Sequence, residues 1–433
     1  MDDSAASVDP SRPSARTVFA QMRRHLPPYL ALTGKLAGRG AVETSGEGCR
    51  VRLSDGRSAL DFGSYAVTLL GHRHPAVLTA VRDQLDALPV ATRTLANPAT
   101  AAAAARLVEY FDSELTRVCF GVSGADAVEA AVKLARLASG RSRIVAVQGG
   151  FHGKSLGALA LTHHERYRTG LLDVLPGVVH VPADDPDAVA REVARDDVAA
   201  VVFEPVQGEN GVRPLDPDVL AAWCAAATAH GTFVIADEIQ CGLRRCGEPS
   251  LALAAGLPVD AVLVGKPLGG GVLPVSAAVC RERLYAPLLA DPVVHTSTFA
   301  GHPLGCAAVP AALDTIEELA DRGPVLAGAM ADGLAELRRR HPETVTAVRG
   351  RGLLWGVDLD PPHLAGELVV QLAQAGLLVS PCMSRPGTLR LMPPLVAGTG
   401  ELSEALGILA AVVARAAAGG RAAGVPSGAP AAP

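Results

Sequence analysis

The chain repeats one unit: a short apolar run rich in β-branched residues, closed by polar, aromatic or glycine residues, then a stretch of helical periodicity. The runs are 144–147, 200–203, 233–236 and Ala261–Val264. Helical patterns such as 127–137 and 219–230 separate them. Apolar runs without in/out alternation mark strands covered on both faces, and their alternation with helices predicts βαβ units around a mostly parallel sheet. A chain of 433 residues accommodates one large α/β domain with satellites. The C-terminal part reads differently. Residues 349–359 predict a strand, Leu364–Ala375 a helix, and Val379 and 389–391 further strands, so a smaller α+β domain begins near Asp321.

Composition excludes several classes of partner. Aromatic residues make up 3%, so Ala, Val and Leu must build the core, and no stacking platform for single-stranded nucleic acid is available. With 44 acidic against 39 basic residues, no basic excess drives binding to phosphate backbones or to anionic membranes. No run of apolar residues is long enough to span a bilayer, and the polar, Ser/Pro-rich stretch Met1 to Arg16 lacks the apolar core of a secretory signal. The eight cysteines form no CxxC pair and no zinc-like spacing, so no metal is expected and a reducing cytoplasm is the simple reading. A Cys241–Cys246 bridge is the one disulfide the spacing leaves open.

In open α/β sheets ligands bind beyond the carboxyl ends of the strands. Five consecutive ends are chemically loaded: Gly121-Val122-Ser123-Gly124-Ala125-Asp126, Gly149-Gly150-Phe151-His152-Gly153-Lys154, Glu204-Pro205-Val206-Gln207-Gly208-Glu209, Asp237-Glu238-Ile239-Gln240, and Gly265-Lys266-Pro267-Leu268 before Gly269-Gly270-Gly271. One such end means little; five describe a site. Ser123 and Asp126 have capping-box spacing, which leaves the backbone N–H groups of Gly124 and Ala125 in a first helical turn suited to an anion. The plain alternative is an ordinary capped helix. Asp237, at the end of a buried strand, needs a cationic partner: a protonated ring nitrogen of a cofactor, or a structural arginine such as Arg244 or Arg245. Lys266 in apolar surroundings would have a depressed pKa and a nucleophilic amine, as Schiff-base chemistry requires; its plain alternative is a surface lysine.

In these residues and their order the chain resembles the class III pyridoxal-phosphate aminotransferases, relatives of ornithine, acetylornithine and 4-aminobutyrate aminotransferases. Asp61-Phe62, Gly71-His72-Arg73-His74-Pro75, Ser123 to Ala130, Phe151-His152-Gly153, Glu204 to Glu209, Asp237 to Gly242, Lys266 to Gly271 and Ser297 to Gly301 carry the likeness, in that order, from about Leu30 to Ala411. The resemblance implies a fold type I α/β architecture: a large domain with a mostly parallel mixed sheet covered by helices, plus a smaller α+β domain from N- and C-terminal segments. The expected division is a disordered segment 1–15, an N-terminal contribution to the small domain 16–75, a large cofactor domain 76–320, a C-terminal small domain 321–418 and a disordered tail 419–433. A homodimer with shared active sites is implied as well.

Residue roles follow from the same resemblance. Lys266 would hold pyridoxal 5'-phosphate and Asp237 would keep its pyridine nitrogen protonated. Gly124 and Ala125, beside Ser123, would bind the phosphate, with Thr298 reaching the neighbouring subunit's cofactor. Phe151 and Ile239 would flank the ring and Gln240 would meet its phenolic oxygen. His152 and Glu204 complete the implied cofactor set. Glu209 and Arg390 would form a switchable pair in which the arginine grips the α-carboxylate of glutamate or 2-oxoglutarate. Tyr65 and Lys154 are the remaining expected substrate contacts. Lys154 stands where the family often has arginine, and lysine is a point charge rather than a fork, which argues against ornithine or acetylornithine. Val128, Pro267 and His302 also depart from the common pattern, which points toward a tailoring role on an unusual amine or carbonyl. The expected reaction is a ping-pong transamination between an amine or ω-amino acid and an oxo acid or aldehyde, through pyridoxamine phosphate. A racemase or aminomutase on the same fold is the alternative.

Overall fold

The computed structural model describes residues 13–92, 94–174 and 177–422. Its centre is a seven-stranded sheet in the order Arg117–Gly121, Ser276–Cys280, Ala261–Val264, Phe233–Asp237, Val198–Phe203, Arg143–Val147, Val178–Val181. Six strands run parallel and Ser276–Cys280 runs antiparallel between its two neighbours. Val198–Phe203 and Phe233–Asp237 are buried along their whole length, as strands covered on both faces must be. Helix Gly124–Ser139 closes one face through Ala127, Val128, Ala130, Ala131, Leu134 and Ala135. Small side chains let the helix lie close to the sheet, so aliphatic packing replaces the missing aromatics. On the other side Trp223, on helix Pro217–Ala229, is fully buried and donates its indole N–H to the carbonyl of Asp185 at 2.8 Å.

The alternation of runs and helices therefore marks the parallel sheet of the structure. Two strands escaped it. Ser276–Cys280 is built from small residues, and Val178–Val181 carries a histidine that interrupts the apolar run. The single strand expected over 349–359 is instead a hairpin, Val345–Arg351 and Leu354–Leu359, turning at Gly352. Gly352 has φ +58°, and a Cβ there would lie 2.7 Å from the backbone of Cys246, so both conformation and space demand glycine.

A second lobe joins the two ends of the chain. Leu377–Leu378 pairs in parallel with Ser58–Asp61 of the N-terminal sheet, which also contains Glu43–Glu47 and Arg50–Leu53. The hairpin continues through Thr388–Leu391 to Ser380–Pro381, and helices Arg322–Arg340, Leu364–Ala375 and Thr399–Ala422 cover this part. The ends expected to be disordered fall largely outside the described residues. Where they are described, Ala15 opens helix Ala15–His25, and the last helix continues four residues past the expected boundary at 418. All eight cysteines are free and buried, so Cys241 and Cys246 are separate thiols. Among the described residues no helix is long and apolar enough to cross a membrane.

Candidate active site

The loaded strand ends converge on one cavity of about 250 Å³, lined by Tyr65, Val67, Gly124, Ala125, Phe151, His152, Gly153, Glu204, Glu209, Asp237, Ile239, Gln240 and Lys266. Asp237, last residue of its strand, sits at the floor with 4% of its surface exposed. Its Oδ2 meets Nδ1 of His152 at 2.7 Å and its Oδ1 accepts the N–H of Ile239 at 3.2 Å. The structural-arginine alternative is thereby removed. Arg244 pairs with Glu317, and Arg245 donates to the carbonyls of Leu353 and Pro393. Burial works against a charge on His152, but the hydrogen bond to Asp237 and the charges of Asp237 and Glu204 outweigh it and raise its pKa. Glu204, buried beside them, accepts the N–H of Phe151 at 2.7 Å; burial, with the charge of Asp237, pushes its pKa up to about 8. The floor thus holds Glu204, whose raised pKa favours its protonated form, beside the hydrogen-bonded Asp237–His152 pair.

Lys266 begins the turn Lys266–Gly269 that follows Ala261–Val264, with a left-handed backbone at φ +40°. Such strain in a non-glycine residue persists only where the surroundings enforce it, and it collects at functional sites. Burial depresses the amine's pKa and Arg390 adds to this, against the opposing pull of Glu209, Asp237 and Glu204. The surface-lysine alternative does not describe this position. Helix Gly124–Ser139 starts with the capping box expected of Ser123 and Asp126. Ser123 spends its side chain on the Asp126 amide and does not itself line the cavity.

Glu209 and Arg390 meet in a buried ion pair. Gln240 binds both: its Nε2 donates to Glu209 Oε1 at 3.1 Å and its Oε1 accepts from Arg390 at 3.2 Å. A Cβ on Gly208 would lie 1.5 Å from the Gln240 oxygen, so the glycine makes room for this arrangement. Arg390, on Thr388–Leu391, is 1% exposed and lies behind Glu209. Lys154 is exposed at the mouth, its ammonium 4.8 Å from the ring centre of Tyr167 and 5.8 Å from that of Phe151. Tyr65 lines the rim with 75% of its surface exposed. Thr298 lies on an exposed loop between helices Glu282–Ala290 and Pro303–Glu318, and does not line its own chain's cavity.

The residues present fit a phosphorylated pyridine aldehyde. A Cβ on Gly124 would lie 3.0 Å from Ile239, so this helix start is shaped as a backbone cradle. The helix end offers amides and positive dipole to a phosphate, Asp237 offers a carboxylate to a ring N–H, and Lys266 offers an amine. Comparison with known proteins agrees. Residues 37–413 match the family model described as aminotransferase class-III. A putrescine aminotransferase from Pectobacterium atrosepticum is 33% identical over 82% of this chain and 79% of its own. The solved ornithine aminotransferase of Toxoplasma gondii superposes with a TM-score of 0.84 at 29% identity, over 94% of this chain and 96% of that one. A pyridoxal-phosphate-bound amine transaminase from an uncultivated Pseudomonas species gives 0.77 at 28% identity, over 87% and 95%. Fold and site together define a fold type I, pyridoxal-phosphate-dependent enzyme. The chain belongs to the class III aminotransferase family and is a transaminase that moves an amino group from an amine donor to an oxo acceptor.

Four residues around the site escaped sequence reasoning. Val67 lines the cavity, Ser380 contacts Arg390, and Met383 and Tyr167 brace Glu209. Only Tyr167 left a signal: in a chain with five tyrosines it lies outside any apolar run.

Proposed function

We propose that one half of this transamination uses glutamate or 2-oxoglutarate and the other an amine or ω-amino acid presenting no α-carboxylate, with Glu209 and Arg390 deciding which is accepted. The observation that carries this is the buried Glu209–Arg390 pair at the cavity wall. A buried guanidinium left without an anion is costly, so Arg390 faces either Glu209 or a carboxylate brought by the substrate. In the closed arrangement Glu209 is also held by the Met383 N–H at 2.9 Å and the Gln240 amide. Burial opposes its charge, but Arg390 and the Met383 N–H outweigh burial and lower its pKa, so it stays an anion able to close on Arg390.

Bound pyridoxal phosphate supplies the aldehyde carbon that receives the amino group and a ring that accepts the electron pair. The chain does the rest. Lys266, whose burial favours the uncharged amine, would take the proton from the substrate carbon on Nζ and deliver it to the carbon that receives the amino group. Asp237, held by His152 and the Ile239 amide, would keep the proton on the ring nitrogen. Gly124 and Ala125 would grip the phosphate, and Phe151 and Ile239 would flank the ring. Lys154 places a positive charge at the mouth, which favours a substrate whose far end is neutral or anionic. The relatives named for putrescine and ornithine support an ω-amine, and Lys154 disfavours one ending in a second ammonium. All three relatives are transaminases, which favours amino transfer over a racemase or aminomutase. The working form is a homodimer in which Thr298 serves the neighbour's phosphate. Its exposure away from its own cavity and the exposed Tyr29, Leu32 and Leu95 support this. The free cysteines are in keeping with a cytoplasmic setting.

Arg390→Ala tests the reading. The glutamate half-reaction should lose roughly 10²-fold, the order expected when a bidentate charge partner is removed, and the amine half-reaction much less. Equal losses would remove Arg390 from substrate discrimination.

A further inference from the structure

Tyr167 lies outside the cavity lining, yet it reaches the gate through two hydrogen bonds. The Glu209 carboxylate has three donors: Arg390, Gln240 and the backbone N–H of Met383. Met383 follows the strand Ser380–Pro381, and its carbonyl accepts the Tyr167 hydroxyl at 2.9 Å. The loop grips the Glu209 backbone as well. Ser384 N–H donates to the Glu209 carbonyl at 3.1 Å, and Cys382 Sγ donates to the Gly208 carbonyl at 3.3 Å. Tyr167 belongs to the short helix Glu165–Arg168 of the large lobe, while the 380–384 loop belongs to the small one. Its ring is fixed edge-on against Phe151, 6.0 Å between centres at 79°, with the Lys154 ammonium over its face.

We propose that Tyr167 is a positioning residue for the Glu209–Arg390 gate: its hydroxyl fixes Met383 so that the Met383 N–H holds Glu209 closed on Arg390. This rests on the gate reading above. A ligand with an α-carboxylate binds the open gate, so its apparent affinity is reduced by the fraction of enzyme that is open. Removing one hydrogen bond that favours the closed state enlarges that fraction. A part that merely supported the fold would weaken every substrate alike; this part weakens one state and helps the ligands of the other.

The test uses the holoenzyme and Tyr167→Phe, which keeps the ring and its contacts with Phe151 and Lys154 and deletes only the hydroxyl. Single-turnover reaction with glutamate should show a saturation constant about 3- to 10-fold lower than wild type, the size of one net hydrogen bond, with an unchanged limiting rate. Glutarate, a dicarboxylate that cannot react, should bind tighter by a similar factor in a spectral titration. In a Glu209→Gln background the same Tyr167→Phe change should have no effect. A glutamate constant that rises or stays within about twofold of wild type, or an equal effect in the Glu209→Gln background, overturns the role of Tyr167. Arg390→Ala leaving the glutamate constant untouched, or wild-type enzyme unreactive with glutamate, overturns instead the gate reading beneath it.

Discussion

The floor of the cavity and its gate are built in opposite ways. The floor is Asp237, His152, Glu204 and Lys266, each delivered by the carboxyl end of a strand of one sheet or the segment just after it. Its hydrogen bonds are local to that sheet and its charges have one sensible arrangement. The gate is Glu209, Gln240, Arg390 and Met383, drawn from two lobes and from residues up to 181 positions apart. Its ion pair is buried but has to open. A rigid sheet suits chemistry that is the same for every substrate; a joint between lobes suits recognition that changes between substrates.

That contrast can be broken most forcefully at the floor. Lys266→Ala should lower both half-reactions about 10³-fold or more, because nucleophile and proton carrier vanish together. Stopped-flow spectra of the two half-reactions check it, and a loss confined to one half would contradict a floor common to both. Thr298→Ala should fail as well, for want of the phosphate contact proposed across the dimer. In the proposed dimer, mixing Lys266→Ala with Thr298→Ala protomers should regain about a quarter of wild-type activity, since half of randomly paired dimers are mixed and each of these holds one intact site of two. No recovery on mixing would mean that Thr298 serves no neighbouring site.

At the gate, Gly208→Ala should act selectively. The new Cβ collides with the Gln240 oxygen, and overpacking of this kind costs roughly 1–3 kcal/mol. The ratio of glutamate to amine rates should shift about tenfold while the absorbance of bound cofactor stays near wild type. An altered cofactor spectrum with an unchanged ratio would put Gly208 on the floor side.

The smallest expected effect concerns the small lobe that carries Arg390 and Met383. Asp358 takes a bidentate pair from Arg349 at 2.6 and 2.8 Å and a further bond from Arg385 at 3.1 Å. Burial works against its charge, but the hydrogen bonds from Arg349 and Thr388 and the charges of Arg349 and Arg385 outweigh it, and its pKa falls to about 2. A carboxyl lower in the folded than in the unfolded chain stabilises above its unfolded value, and that stability is lost as pH falls through the folded one. Thermal melts should therefore weaken between about pH 4 and pH 2, and Asp358→Asn should flatten that slope at a cost of about 1–3 kcal/mol at neutral pH. An unchanged slope in the variant would show that the charge of Asp358 plays no part.

Legibility in the sequence follows the same division. The floor was readable because each of its residues sits next to a run of buried β-branched side chains, so local pattern and site coincide at Asp237, Glu204, Lys266 and the Ser123–Asp126 cap. Glu209 and Arg390 were reached through resemblance, since nothing local to either announces the other. Met383 and Tyr167 act through a backbone amide, a backbone carbonyl and one hydroxyl, and a backbone amide leaves no mark in sequence. The hairpin at Gly352 was read as one strand because the apolar stretch 353–357 follows Arg349-Gly350-Arg351-Gly352 with no Pro, Asn or Asp to mark a turn that only tertiary contact with Cys246 makes compulsory. Ser276–Cys280 escaped because small residues carry little strand preference of their own.

The Lys266 amine and the Asp237 carboxylate line one cavity of cofactor size. Borohydride reduction of the purified holoenzyme followed by peptide mass mapping tests it most directly. The chain has four lysines, Lys35, Lys133, Lys154 and Lys266. The cofactor's added mass should appear on the peptide containing Lys266 alone; the same mass on Lys154 or another lysine, with Lys266 unmodified, would contradict it.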